Sequence, residues 1–259
     1  TGMPGVGTLF EELGLQYIGP VDGHDLQAME TALRQAKKYA YPVIVHAITQ
    51  KGKGFDPALL NEDDQFHAVG QIDPLTGESL EKTSGKSWTS VFSDEIVEIA
   101  AKRKDIVGIT GAMLMPVGLD AMAKKFPDRV FDVGIAEQHA VTFSAGLATQ
   151  GLVPFCNIYS TFLQRAYDQI IHDVCIQNLP VRFIIDRSGF VGQDGETHCG
   201  AFDIAMLICI PNTVLMASSS ANELELMMDF ASDYDKAPTF IRIPKKDASP
   251  DIFRAEKVE

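Results

Sequence analysis

Apolar positions along this chain follow two alternating patterns. Short β-branched runs, continuous enough to be buried on both faces, are followed by stretches whose apolar residues recur every three to four positions. The first pattern predicts strands of a parallel sheet and the second predicts helices. Strands are expected over 17–21, 42–49, 106–110, 130–133, 153–158, 181–185, 214–217 and 239–243. Helices are expected over 26–39, 89–103, 119–126, 137–148, 162–177 and 222–230. The run 71–86 is rich in Gly, Ser, Pro and charge and reads as a linker. The expected organisation is therefore an α/β protein. A doubly wound parallel sheet over 87–246 is preceded by the tail of a second α/β domain with its linker (1–86), and the polar stretch 247–259 starts a further linker.

Composition narrows the function classes. The 259 residues carry a formal charge of −13, which argues against nucleic acid and anionic membranes as partners. No apolar run is long enough to span a bilayer. The opening, TGMPGVG, lacks the basic region and apolar run of a signal peptide and reads as the interior of a longer chain. Cys156, Cys175, Cys199 and Cys209 form no CxxC pair and no metal-ligand spacing, so buried free thiols in a reducing cytoplasm are expected.

Candidate chemistry gathers where strands end. Gly134 breaks the 130–133 strand, and Glu137 opens the next helix, at the carboxyl end of the sheet where open α/β folds keep their ligands. A first-turn glutamate that merely complements the helix dipole is the plainer alternative. Arg165 stands near the start of the 162–177 helix, where a cation opposes the dipole, so an anionic partner is expected. The Gly-rich loop 189–200 follows a wholly apolar strand and the pair Asp186-Arg187, and it holds Asp194 and His198. Lys51-Gly52-Lys53-Gly54-Phe55 could approach a phosphate or could be a solvated loop, and His67, between apolar neighbours, suits either a partly dry site or a structural role. His24 reads first as a turn residue bonding the loop backbone and only second as a base.

Read together, GTLFEELG…YIGPVDGHD, KGKGF, FHAV, FPDRVFDVGIAEQHAVTF, YSTFLQRAYDQIIHDV and IDRSGFVGQDGETHCGAFD resemble the 1-deoxy-D-xylulose-5-phosphate synthase family of the transketolase superfamily. The resemblance implies thiamine diphosphate as cofactor, with Mg2+, and decarboxylative condensation of pyruvate with D-glyceraldehyde 3-phosphate. It implies that Glu137 hydrogen-bonds the cofactor's aminopyrimidine ring and that Phe162 stacks on it. Lys51 and Phe55 would lie against the cofactor, His67 would handle protons, and Asp194 and His198 would orient the acceptor. Tyr159, Arg165, Arg187 and Lys245 would grip the acceptor and its phosphate.

Departures from the family pattern shape the expectation further. The family's Arg-Tyr-Pro-Arg-Gly reads Arg242-Ile243-Pro244-Lys245-Lys246, which keeps the charge at Lys245 without a bidentate fork. The family's Met-Thr-Pro-Ser reads Met216-Ala217-Ser218-Ser219. No Gly-Asp-Gly motif with a downstream Asn is present, so no metal ligand is assigned here and the magnesium ligands are expected in an amino-terminal part outside this sequence. The chain is thus expected to be an internal piece of a homodimeric synthase, inactive alone and completed by the rest of the enzyme or by a separate amino-terminal fragment. Two other readings are the pyrimidine-binding subunit of a naturally split thiamine enzyme and a non-catalytic dimerisation or regulatory domain.

Overall fold

A computed structural model of the chain describes residues 7–62, 64–67, 69–80 and 85–248. It divides into two compact units, Thr1–Lys82 and Thr83–Glu259.

In the first unit, strand β1 (Gln16–Asp22) pairs in parallel with β2 (Val43–Ile48), and the helix Leu26–Ala36 makes the crossover. The helix starts where the sequence predicts because the Asp25 carboxylate accepts from the amides of Gln27 and Ala28, at 2.9 and 3.1 Å. Two strands cannot cover their own apolar faces, and Leu9, Leu13, Leu26, Leu33 and Ile48 are exposed. His24 accepts from the Gln50 amide at 2.7 Å, the turn role read from the sequence. Within the segment read as a linker, Asp73 caps a local turn by accepting from Leu75 and Thr76. Most of the opening Gly/Pro-rich loop and the end of the chain, 249–259, lie outside the described residues.

The second unit is a six-stranded sheet of β3 (Ile106–Thr110), β4 (Val130–Asp132), β5 (Val153–Tyr159), β6 (Arg182–Asp186), β7 (Val214–Ala217) and β8 (Thr239–Arg242). Their order is β4-β3-β5-β6-β8-β7 and every pairing is parallel. Helices Trp88–Lys102 and Ala221–Asp233 pack one face, around Phe92, Ile96, Phe155 and Met228. Helix Glu137–Thr149 and the segment 160–175 pack the other, around Val141, Ile158, Ile170 and Phe183. Trp88, the single tryptophan, is buried in the first of these layers. The chain leaves β3 toward β4 on one side and continues from β5 toward β6 on the other. The carboxyl ends of β3 and β5 therefore flank a topological switch point, the usual ligand crevice of such sheets.

At the opposite, amino-terminal end, the fully buried Arg182 ties the sheet to the last helix. Its guanidinium donates to the carbonyls of Ala231 (2.8 Å), Ser232 and Tyr234 (both 3.1 Å) and to Asp235 (2.6 Å). The orphan carbonyls of a helix carboxyl terminus thereby acquire donors.

Two expectations are corrected. The long helix read over 162–177 is not continuous. It runs as an α-turn at Ser160–Leu163, a 3-10 turn at Gln164–Ala166, a further turn at Tyr167–Gln169 and a π-helical stretch at Ile170–Cys175. The path tightens at Ala166, whose φ of −111° and ψ of 18° leave the helical region, and then loosens. Leu163, Ala166, Ile170 and Val174 consequently all face the same core, and their spacing imitates a regular helix. The cysteines are free, but only Cys156 and Cys175 are buried; Cys199 is half-buried and Cys209 exposed, because the 199–209 segment runs over the surface.

Candidate active site

The candidate residues of the second unit follow the carboxyl ends of β4, β5, β6 and β8. Glu137 begins its helix three residues after the positive-φ Gly134, and it is only 3% exposed. Gly111, just past β3, lies close to the same turn: a methyl there would press on the Gly134 carbonyl at 3.0 Å and reach ordinary contact with Glu137 Cγ at 3.8 Å. An Arg165 guanidinium nitrogen lies 2.9 Å from Glu137 Oε2, the anionic partner that the position of Arg165 demands. The approach is off the line of a hydrogen bond, so Oε2 remains a buried acceptor without a donor. Arg165 is half exposed, so the pair guides geometry more than it adds stability.

Aromatic rings line the next strand end. Tyr159 closes β5, and its ring stacks on Phe162 with centroids 5.8 Å apart and planes 7° from parallel. Phe162 in turn meets the His198 imidazole edge-on at 5.4 Å. Burial pushes the Tyr159 phenol up to about 12, so it is a neutral donor at any working pH. The Arg187 guanidinium sits over the Tyr159 ring, 4.7 Å from its centroid.

Arg187 follows β6 in a left-handed conformation, φ +59°, which turns its side chain back over the strand ends. Its guanidinium lies 3.1 Å from Asp186 and 3.7 Å from Asp194, and its buried Nε has no hydrogen-bond acceptor. Asp186 is almost wholly buried. Loss of water raises its carboxyl above the ordinary range, against the opposing pull of Arg187. Lys245 forms an ion pair with the other oxygen of Asp194, so that one carboxylate lies between two cations.

Of the residues singled out from sequence, the second unit brings Glu137 and Arg165 together as one ion pair and joins Tyr159, Phe162, His198, Arg187, Asp194 and Lys245 in a second set of contacts. Lys51, Phe55 and His67 belong to the first unit. There Lys51 donates to the Asp64 carbonyl at 2.5 Å, and Phe55 packs against Phe66 at 5.9 Å. His67 is exposed within that unit. Sequence reasoning passed over Asp186 as a site group and missed Asp203 entirely. Asp203 is fully buried and accepts from Ser160, Ser188 and Arg242. No group of three or more His, Cys, Asp or Glu able to hold a metal ion occurs among the described residues. Nor is any described helix long and apolar enough to cross a membrane.

A parallel sheet with a buried acidic helix start and aromatic walls at its switch point is a nucleotide- or coenzyme-binding architecture. The family model "Transketolase, pyrimidine binding domain" matches residues 84–250, and the chain belongs to that family. Residues 2–49 match the model of 1-deoxy-D-xylulose-5-phosphate synthase. The chain is 52% identical over 250 residues to the 1-deoxy-D-xylulose-5-phosphate synthase of Streptomyces sp. (strain CL190), covering 96% of this chain and 40% of that protein. It is 53% identical to the same enzyme of Paenarthrobacter aurescens, covering 96% and 38%. The chain therefore spans about two fifths of the length of these curated relatives. Among solved structures, a split-gene transketolase described as an inactive β4 tetramer superposes with a TM-score of 0.60 at 24% identity, covering 68% of this chain and 57% of that one. That likeness is one of fold.

Proposed function

We propose that this chain supplies the pyrimidine-binding half of a thiamine-diphosphate site in a synthase that condenses pyruvate with D-glyceraldehyde 3-phosphate to 1-deoxy-D-xylulose 5-phosphate and CO2. The observation that carries the reading is the buried Oε2 of Glu137 at the sheet's switch point, which faces the Arg165 guanidinium but accepts no hydrogen bond. A buried acceptor without a donor costs stability, and a heterocycle with a protonated ring nitrogen would relieve it. The residues present fit the cofactor in chemistry: an acid for the ring nitrogen, and Phe162 with a flat, half-buried ring for its face. When bound, thiamine diphosphate supplies a nucleophilic carbon that lets the carboxylate of a 2-oxo acid leave as CO2.

The chain's own residues would do the rest. Glu137 would hold the ring in one orientation and share its proton. Tyr159 and Phe162 would exclude water from the same face. Arg187, Lys245 and Arg165 would meet the acceptor's phosphate, with Asp194 and His198 on its hydroxyl and aldehyde groups. Lys51, Phe55 and His67 are assigned contact with the cofactor and proton handling. Magnesium and the diphosphate would be held by a part of the enzyme outside this sequence, the assembly would be a homodimer, and free thiols suit a cytoplasmic location. The test is Glu137→Ala in the assembled enzyme. Circular dichroism should be unchanged while hydrogen exchange at the cofactor's reactive carbon and pyruvate-dependent CO2 release are lost; retained exchange would refute the role.

A further inference from the structure

The strand ends that carry the site residues are held by a single buried carboxylate. Asp203 opens the short helix Asp203–Ile208 and is 1% exposed. Its Oδ2 accepts from Ser160 Oγ at 2.9 Å, Ser188 Oγ at 3.0 Å and Arg242 Nε at 3.0 Å, while Oδ1 accepts from the Ile204 amide at 2.7 Å. Each of the three side-chain donors is adjacent to, or close along the chain from, a residue of the site. Ser160 separates Tyr159 from the turn bearing Phe162 and Arg165. Ser188 immediately follows Arg187. Arg242 ends β8, just ahead of Lys245. Gly200 closes the arrangement, because it exchanges backbone hydrogen bonds with Gly189 at 2.8 and 3.0 Å and lies against Ser160 and the Arg187 carbonyl.

We propose that Asp203 is a positioning residue that fixes the Tyr159–Phe162 wall relative to Arg187 and Lys245, and so sets how far the acceptor's anionic group lies from the cofactor face. This rests on the thiamine-site reading for its functional consequence but not for its structural one. A carboxylate is suited to the task because it can accept from several donors at once, whereas an asparagine oxygen accepts fewer and gives Arg242 no charge. The three donors lie at or just past the ends of three different strands, so no local turn could substitute for it.

The experiment is amide hydrogen exchange on the whole chain, comparing wild type with Asp203→Asn, Ser160→Ala and Ser188→Ala. The expected result is exchange faster by about tenfold or more at Ser188, Gly189 and Gly200, with Ile184 and Ile241 in the strand interiors unchanged. In the assembled enzyme the same variants should raise the KM for the phosphorylated acceptor about tenfold while leaving that for pyruvate within about twofold. Unchanged exchange at those three amides overturns the proposal, as does a uniform rise over the whole sheet, which a merely structural role would produce. Localised exchange with an unaltered acceptor KM in an active enzyme overturns it too. Should Asp203→Asn fail to fold, the two serine variants decide by the same criteria. A wild-type assembly without thiamine-dependent activity would instead refute the functional reading, and the exchange measurement would still judge Asp203.

Discussion

Gly200→Ala is a minimal change that should disturb the site without replacing any residue proposed to meet a ligand. A methyl group at this position would lie 2.6 Å from Ser160 Cβ and 2.7 Å from the Arg187 carbonyl oxygen, and it would also collide with Ser160 Oγ. Carbon atoms in folded proteins do not approach this closely. The serine hydroxyl can rotate away, but the Arg187 carbonyl is backbone and cannot be relieved by a rotamer change. The loop must therefore shift by several tenths of an ångström. Overpacking of this kind costs about 1–3 kcal/mol. Displacing Ser160 Oγ also removes one hydrogen bond to the buried Asp203, adding about 1–2 kcal/mol because the acceptor is charged. The terms overlap, since one movement relieves part of both, so the expected loss is about 2–3 kcal/mol. Urea unfolding followed by circular dichroism should show the midpoint fall with an unchanged slope. A variant within about 0.3 kcal/mol of wild type would mean that the loop relaxes freely, and the description of a close-packed latch around Gly200 would be wrong.

Other consequences follow from single side chains. Burial, with Asp229, Glu98 and Glu225 adding like charge, pushes the Glu95 carboxyl from 4.5 up to about 7. The folded state thus holds a proton that the unfolded chain releases, and stability declines as pH rises through that window. Glu95→Gln should therefore match wild type near roughly pH 4 and exceed it by about 1 kcal/mol near pH 8, allowing for its half-exposed position; equal stability at the higher pH would contradict the shift. Arg182→Met removes the guanidinium that donates to the carbonyls of Ala231, Ser232 and Tyr234; Ser232 keeps Arg103 and Ala231 keeps the Tyr234 amide, so a loss of about 2 kcal/mol is expected in thermal unfolding. A loss below about 1 kcal/mol would show that water reaches those carbonyls. Arg165→Ala removes the partner of a buried carboxylate and should lower stability by only about 1 kcal/mol, because the guanidinium is half exposed. Loss of several kcal/mol on scanning calorimetry would mean the pair is better shielded than its exposure implies.

The parallel strands were legible because burial on both faces leaves an uninterrupted apolar run, as in the wholly buried β3, β5 and β6. Glu137 stood out for a topological reason, a carboxylate shortly after a glycine break at the sheet's carboxyl end, although a first-turn acid that only complements the helix dipole has the same local signature. The need of Arg165 for an anion followed from the helix dipole, but Glu137 as that anion did not, since the two lie on different elements. The break near Ala166 was hidden because its tight and loose turns preserve the average spacing of apolar residues. Asp203 was invisible for a related reason. In sequence it resembles any first-turn acid, and its partners stand 43, 15 and 39 positions away. Long-range convergence of hydroxyls onto one carboxylate leaves no local pattern.

The burial of Trp88 has a practical corollary. Its neighbour Thr89 donates to Asp186 at 3.1 Å and receives the Arg187 guanidinium at 3.4 Å, so the indole stands one residue from the polar floor beneath the strand ends. Its tryptophan emission therefore reports on the six-stranded unit alone, whereas the two-stranded unit, which has no indole, contributes only to the far-ultraviolet and tyrosine signals. Emission and far-ultraviolet signals that melt at different temperatures would resolve the two units within one unlabelled chain.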